Sequence, residues 1–136
     1  MVEKNKTQTV SRMPPDDVDA AAALLGFKTS PDPESKVIEI KGTKPSYRAP
    51  AFAQVKRDQR VQFFNSTDGE VSIQFPHRHL FSDCQILRLP IGYYSGVLKV
   101  QPDVFVGHYP YSAYCHKGGE FAEGGSMPII IVEPDK

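Results

Sequence analysis

The stretch that decides the fold is GHYPYSAYCHKGGEFAEGGSMP, residues 107–128 of this 136-residue chain. Its first half has the period-two pattern of a strand. The residues that share one face of that strand are Tyr109, Tyr111, Ala113 and Cys115. Its second half is a glycine-rich loop, and the β-branched run at 129–132 follows directly. Because such short apolar runs are typical of core strands, the stretch predicts one strand that delivers a cysteine into a loop and a second strand that leaves it.

Composition and charge describe one domain with no general attraction to polyanions. The chain is 40% hydrophobic, and its 16 basic side chains equal its 16 acidic ones, so no net charge recruits nucleic acid or an anionic membrane. No apolar run has the length of a membrane span. Six basic side chains lie within residues 41–60, but few aromatic residues are interleaved with them, which favours a solvated face over a nucleic-acid or acidic-protein surface. Neither nucleic acid nor membrane is expected as a partner.

The first 35 residues are expected to be a tail, with a short helix over about 15–26 and a linker, ahead of a domain over 36–136. Prolines and aspartates open the helix, and Gly26 ends it. Its apolar stripe favours packing on the flank of the domain, with docking to a partner as the alternative. The compartment stays open: periplasmic or extracellular if a signal peptide was removed, otherwise cytoplasmic.

The middle of the chain predicts a β-sandwich of about seven or eight short strands. A turn at 66–69 separates two alternating segments, as a hairpin or as a jog between strands. The residues predicted to fill the core are Phe63, Val71, Ile73, Phe75, Tyr111, Ile130 and Val132. The two cysteines, Cys84 and Cys115, are placed near different ends of the sandwich and are therefore predicted to be free.

Three motifs, in this order, resemble those of the cupredoxins, the plastocyanin-like proteins. They are VQFFN at 61–65, LPIG at 89–92 and YSAYC at 111–115. The resemblance covers residues 36 to 134. It implies an all-β, cupredoxin-like Greek-key sandwich in which Cys115 stands at the position of the copper-binding cysteine.

The resemblance also implies a set of copper ligands, and most of that set is missing here. A type 1 site needs one thiolate and two imidazoles in a plane, with a weak axial thioether. Val71 and Gly118 stand where the family has its histidines. Cys115 matches the cysteine, and Met127 follows twelve residues later in a longer loop. His116 could join the thiolate only if the strand broke at Cys115, because neighbours on a strand point to opposite faces.

The other histidines are not expected to complete the copper site. His77 and His79 are predicted to be exposed at the end of the sandwich opposite Cys115, and His108 lies seven residues upstream of the cysteine. A catalytic cysteine is not favoured either, since a thiolate–imidazole pair must be adjacent in space rather than in sequence. The glycine-rich loop lacks the lysine of a phosphate cradle. The chain is therefore not expected to be an enzyme.

The resulting hypothesis is a cupredoxin-like domain without an intact type 1 site and without a cofactor. It would serve as a non-catalytic binding or structural module for a protein partner. The residues of the expected contact surface are Tyr109, Tyr111, Tyr114 and Phe121. The alternative is a copper-binding electron-transfer or copper-handling protein with an altered ligand set built from Cys115, His116 and Met127.

Overall fold

The regular structure of the chain is β-strand throughout the part that the computed structural model describes, residues 26–81 and 84–135. Most of the helix expected over residues 15–26 therefore lies outside the described residues. Within them, no helix is long and apolar enough to cross a membrane. The strands are β1 (Phe27–Lys28), β2 (Lys36–Thr43), β3 (Ser46–Arg48), β4 (Phe52–Val55), β5 (Arg60–Ser66), β6 (Val71–Gln74), β7 (Ile86–Leu89), β8 (Tyr94–Ser95), β9 (Leu98–Lys99), β10 (Gly107–Pro110), β11 (Ser112–Cys115), β12 (Glu120–Phe121) and β13 (Ile129–Val132).

The described strands form three sheets. One runs in the order β1-β8-β5-β2-β3, with β9 also paired to β5; the second is β10-β13-β4; the third is β12-β11-β6-β7. Two pairings are parallel, β2 with β5 and β13 with β4. Strands that are consecutive along the chain thus often lie in different sheets, as expected of a sandwich with Greek-key connections.

The core is the one that the alternating pattern predicted. All seven predicted core residues are at most 2% exposed. The ring of Phe63 lies 5.5 Å from the rings of both Phe75 and Tyr111, measured between centroids. Since β5 and β6 belong to different sheets, the turn at residues 66–69 is a crossing between sheets rather than a hairpin.

The strand over residues 107–115 keeps its period but changes sheets in the middle. β10 pairs with β13, whereas β11 pairs with β6. Tyr111, between the two strands, is fully buried and donates its backbone N–H to the carbonyl of Pro128 at 3.0 Å. One face of the alternation points inward in both sheets, so the predicted strand is correct in its facing and wrong in its continuity.

Residues that precede position 36 contact the sheet. Phe27 and Lys28 pair with Ser95 and Tyr94 of β8. The backbone N–H of Asp32 donates to Oε1 of the buried Gln62 at 2.8 Å. The segment expected to be a linker is therefore attached to the sheet. The strands also outnumber the predicted seven or eight, because several are two residues long and too short to show a period.

Candidate functional site

The motifs that carry the resemblance meet at one end of the sandwich, here called the Cys115 end. β11 ends at Cys115, which lies opposite Val71 of β6. The side-chain amide of Asn65 donates to the carbonyls of Gly69 and Leu89 at 2.8 and 2.7 Å. The backbone N–H of Gly92 in turn donates to the carbonyl of Asn65 at 2.7 Å. Asn65 thus ties together the end of β5, the crossing turn and the turn that follows β7.

Tyr47 of β3 fills the space beside Gly118, and sequence reasoning missed it. Its hydroxyl donates to Oδ1 of Asp68 at 2.8 Å, and the residue is only 3% exposed. A β-carbon added at Gly118 would lie 2.5, 2.6 and 2.9 Å from Oη, Cε2 and Cζ of Tyr47. Carbon contacts that short do not occur without displacement of a neighbour. The volume that a histidine at position 118 would need is occupied by the tyrosine ring.

The hairpin that presents Tyr47 depends on a glycine. Gly42 has φ +114°, in the left-handed region that favours glycine. A β-carbon there would collide with the carbonyl oxygen of Ser46. The short strand β3 can therefore turn back along β2 and place Tyr47 over the end of β11.

Burial and two nearby carboxylates stabilise the uncharged form of the Cys115 thiol. Burial raises the pKa of Cys115 to about 11, and the nearby carboxylates of Asp68 and Glu120 act in the same direction. Burial and the hydrogen bond to Asp68 also raise the pKa of Tyr47 to about 12. Both groups are therefore protonated at neutral pH.

Asp68 remains ionised beside them. Burial acts to raise the pKa of Asp68, but hydrogen bonds from the Lys44 N–H at 3.1 Å and from the Tyr47 hydroxyl outweigh burial and lower it. The carboxylate is thus held by donors from the β2–β3 hairpin. Its hydrogen bonds stabilise the hairpin and are not directed toward an open site.

His116 turns away from the thiol. β11 does end at Cys115, but Nε2 of His116 lies 2.7 Å from Oγ of Ser72, and its ring packs edge-on against Tyr114 at 5.0 Å. Val71 is the cross-strand partner of Cys115, so the two side chains lie on the same face of the sheet. Ser72 is the next residue along β6 and therefore points to the other face. The imidazole and the thiol therefore lie on opposite faces of the sheet.

The residues present do not fit a type 1 copper ion. Cys115 is a buried neutral thiol, His116 lies on the outer face and Met127 is 48% exposed in the loop. Val71 is fully buried where the first imidazole would stand. Among residues 26–81 and 84–135, no three histidine, cysteine, aspartate or glutamate side chains are grouped to hold a metal ion. Of the three sequence-derived ligands, Cys115 and His116 lie on opposite faces of the sheet.

The loop after Cys115 is fastened to β3 by Glu123, another residue that sequence reasoning missed. Its carboxylate accepts from Nε of Arg48 at 2.7 Å and from the backbone N–H of Ala49 at 3.0 Å. Its own N–H donates to the carbonyl of Tyr47 at 3.0 Å. These donors lower the pKa of Glu123, the Arg48 hydrogen bond most strongly. The glycine-rich loop is therefore held in place over the Cys115 end.

The four aromatic residues of the expected contact surface do not form one surface. Tyr111 is fully buried. Its assignment to the surface was wrong, because it lies on the inward-facing side of the alternating segment and is therefore out of contact with solvent. Tyr109 belongs to a different sheet, where its ring lies 5.1 Å from that of His77. Tyr114 and Phe121 do lie together, with ring centroids 5.0 Å apart.

Tyr114 and Phe121 belong to the outer face of the sheet β12-β11-β6-β7. A shallow cavity of about 470 Å³ runs along this face. Ile86, which is 57% exposed, and Arg88 line it beside the two rings. We call this group of four residues the outer aromatic face.

The opposite end of the sandwich carries a second cavity. His77 and His79 are exposed there, as predicted, and they line a cavity of about 380 Å³ together with residues of the turn that precedes β10. Cys84 belongs to this half of the molecule, since the carbonyl of the neighbouring Gln85 accepts the backbone N–H of Phe75 beyond the end of β6. Cys84 and Cys115 are both free, as predicted.

Three of the six basic side chains at residues 41–60, all of them arginines, pair with carboxylates from other parts of the chain. Arg48 pairs with Glu123, and Arg57 pairs with Asp135 at 3.1 Å. Arg60 lies within 3.6 Å of two acidic side chains that precede β2. These arginines therefore do not combine into an unpaired positive surface.

No protein-family model and no curated protein sequence matches the chain, whereas solved structures do. A multicopper oxidase has a TM-score of 0.50 at 18% identity, over 76% of this chain and 45% of that one. A copper nitrite reductase from Nitrosomonas europaea has a TM-score of 0.52 at 11% identity, over 79% and 52%. The chain thus spans about half the length of these two proteins. A reduced amicyanin variant has a TM-score of 0.49 at 15% identity, over 76% and 87%.

The likenesses to the multicopper oxidase and the nitrite reductase show the fold. The chain is a cupredoxin-like, all-β domain, as its three motifs predicted.

Proposed function

We propose that this chain is a non-catalytic binding module of cupredoxin fold that contacts a protein partner through the outer aromatic face. The observation that carries the proposal is Tyr47, whose ring lies against Gly118 and whose hydroxyl is bound by Asp68 beside the neutral Cys115. Side chains of the domain itself fill the end at which the fold's copper proteins would hold their metal. The hydrogen bond between Tyr47 and Asp68 at that end stabilises the folded chain.

The same geometry argues against nucleophilic catalysis by Cys115. A cysteine nucleophile needs an exposed thiolate with a base in hydrogen-bond reach. Cys115 is 1% exposed, its pKa is raised, and the adjacent imidazole lies on the other face of the sheet. Neither the thiolate nor its base is in place.

The outer aromatic face supports the binding role. Aromatic side chains and arginine are enriched in the cores of protein interfaces, and Tyr114, Phe121, Ile86 and Arg88 lie side by side along one cavity. Phe121 is 49% exposed and Ile86 57%. These side chains are available to a partner without any rearrangement of the core.

Copper binding is the alternative, and a spectrum separates it from the proposal. Cupric ion is added to the reduced protein, and the visible absorption is recorded for the native chain and for the Cys115→Ser and His116→Ala variants. We expect none of the three to develop the intense copper–thiolate band at about 600 nm. A native band that disappears in Cys115→Ser would establish the alternative. Its further loss in His116→Ala would identify the imidazole as a ligand.

The contact surface is tested with a pair of phenylalanines. Phe121→Ser removes a ring of the outer aromatic face, and Phe105→Ser removes a ring that is 82% exposed at the other end. A partner recovered by affinity capture with the native chain should be recovered with Phe105→Ser and reduced at least about tenfold with Phe121→Ser. Equal recovery with both variants, or recovery of no specific partner, would count against this surface.

A further inference from the structure

The cavity at the end opposite Cys115 has the size and lining of a small-molecule site. We call it the His77 pocket; its lining residues are His77, Arg78, His79, Asp103, Val104, Phe105 and Tyr109. Its volume of about 380 Å³ falls in the range of pockets that bind small ligands, roughly 300–1,000 Å³. Val104 is 3% exposed and forms an apolar floor, while Phe105 and Tyr109 supply aromatic walls.

The walls of the His77 pocket are held by contacts behind them. The turn that carries His77 is anchored by Leu80, which is 1% exposed and whose carbonyl accepts from the Gln101 N–H at 3.0 Å. On the other wall, Nε of Arg57 donates to the carbonyl of Val104 at 2.8 Å. The Tyr109 hydroxyl donates to the carbonyl of Phe105. The pocket is therefore formed before any ligand arrives.

Two charged side chains that line the pocket, Arg78 and Asp103, have no ion-pair partner among the described residues. Each of the other arginines in the described ranges, Arg48, Arg57, Arg60 and Arg88, forms an ion pair with a carboxylate. Among the same residues, Arg78 forms no ion pair or side-chain hydrogen bond, and neither does Asp103. A guanidinium presents five donors and no acceptor, so Arg78 is the unpaired guanidinium of the described part of the chain.

We propose that the His77 pocket binds a small organic anion with a planar apolar body, such as an aromatic carboxylate. Arg78 donates two hydrogen bonds to the carboxylate of the ligand, because a guanidinium is suited to this bidentate geometry. The ring lies over Val104 between Phe105 and Tyr109. Asp103 faces the same space and opposes a second negative charge, which limits the ligand to a single anionic group. The proposal concerns a different surface from the outer aromatic face and does not depend on it.

The test compares two probes of nearly the same size and shape, the anion 2-naphthoate and the uncharged 2-naphthamide. Each is titrated into the isotopically labelled full chain, and backbone amide resonances are followed by NMR. We expect naphthoate to shift the resonances of residues 77–79, 103–105 and 109. It should bind at least about tenfold more tightly than naphthamide, because hydrogen bonds between two charged groups are stronger than those to a neutral group.

Three exposed substitutions give the signature of the site. Arg78→Gln should weaken naphthoate binding about tenfold. Asp103→Asn should strengthen it about twofold, because a like charge is removed at an exposed site. Arg60→Gln is the matched control, at an exposed arginine of β5 that lines neither this pocket nor the outer aromatic face, and it should leave binding unchanged. All three lie on the surface, so unchanged amide spectra of the free variants verify that the fold is intact.

Several results would overturn the proposal. Equal affinity for the two probes, loss of binding in Arg60→Gln, or weaker binding in Asp103→Asn would each exclude Arg78-centred recognition of an anion. Shifts centred on Phe121 would move the ligand to the outer aromatic face. The absence of any shift at millimolar naphthoate would show that the pocket takes no ligand of this class.

Discussion

The two ends of this sandwich contain similar residue types in opposite situations. At the Cys115 end, Tyr47 is 3% exposed, its hydroxyl is bound by Asp68, and the loop above it is tied down by Glu123. At the other end, Phe105 is 82% exposed, and within the described residues Arg78 has no ion-pair partner. The Cys115 end is closed and its polar groups bind one another, whereas the opposite end has an open cavity beside an unpaired guanidinium.

The two ends differ in how their polar groups are satisfied, and the proposed ligand site rests on that difference. Groups that bind one another inside the fold, as Tyr47 and Asp68 do, stabilise the folded chain and have fewer hydrogen-bonding positions left for a ligand. Groups beside a pre-formed cavity with no partner keep those positions. Substitutions should therefore change stability at the Cys115 end and ligand binding at the His77 pocket.

The largest difference is expected between two aromatic truncations. Tyr47→Ala removes a buried ring and should lower the free energy of unfolding by about 3–5 kcal/mol. Phe105→Ala removes an exposed ring and should change it by less than about 0.5 kcal/mol. Urea unfolding of both variants measures the difference. Similar losses in the two would mean that the ends are not distinguished by packing.

A smaller effect is expected from adding a methyl group at Gly118, against the ring of Tyr47. Gly118→Ala places a methyl group where the tyrosine ring lies and should cost about 1–3 kcal/mol. Gly125→Ala is the matched control, because its β-carbon would meet nothing within 4 Å and its φ is not in the left-handed region. The control should be close to neutral.

A double-mutant cycle identifies the tyrosine as the cause. Tyr47→Leu removes the ring atoms that a β-carbon at position 118 would meet. In that background the cost of Gly118→Ala should fall below about 0.5 kcal/mol, so the two changes are strongly non-additive. Additive costs would mean that position 118 is restricted by its backbone rather than by Tyr47.

The sequence predicted the parts of the fold that depend on periodicity. Val71, Ile73 and Phe75 alternate inward, and all three are buried as expected. The change of sheet at Tyr111 was not predictable in this way, since inward and outward faces alternate with the same period in both sheets. For the same reason Tyr111 was assigned both to the core and to the surface, and burial decides for the core.

The candidate site was predictable only for the residues that carry a motif. The copper-site positions Cys115, Val71 and Gly118 could be assigned by their spacing from the motifs. Tyr47 could not, because it lies in a three-residue strand without a period, and its contacts are with residues far along the chain, Asp68 at 21 residues' distance among them. A tyrosine shortly after Gly42, in a stretch otherwise rich in basic residues, was the one available signal.

The smallest expected effect concerns the ion pair that fastens the loop over the Cys115 end. Glu123 is an acceptor for Arg48 and for the Ala49 N–H, and these bonds hold its pKa in the folded chain below the ordinary value of 4.5. Glu123→Gln keeps an acceptor but removes the charge. It should cost about 1 kcal/mol at neutral pH, a modest value because the Arg48 side chain is 65% exposed.

The pH dependence of that cost gives the sharper test. A group whose pKa is lowered on folding contributes stability above its unfolded pKa, and that contribution disappears as the pH falls through the folded pKa. The difference in unfolding free energy between the native chain and Glu123→Gln should therefore be constant above about pH 5 and shrink toward zero in more acidic solution. Asp135→Asn is the matched control at the other end, where the carboxylate that pairs with Arg57 is 61% exposed and should contribute less than about 0.5 kcal/mol. A Glu123→Gln cost that stays the same down to about pH 3 would show that shape, not charge, fastens this loop.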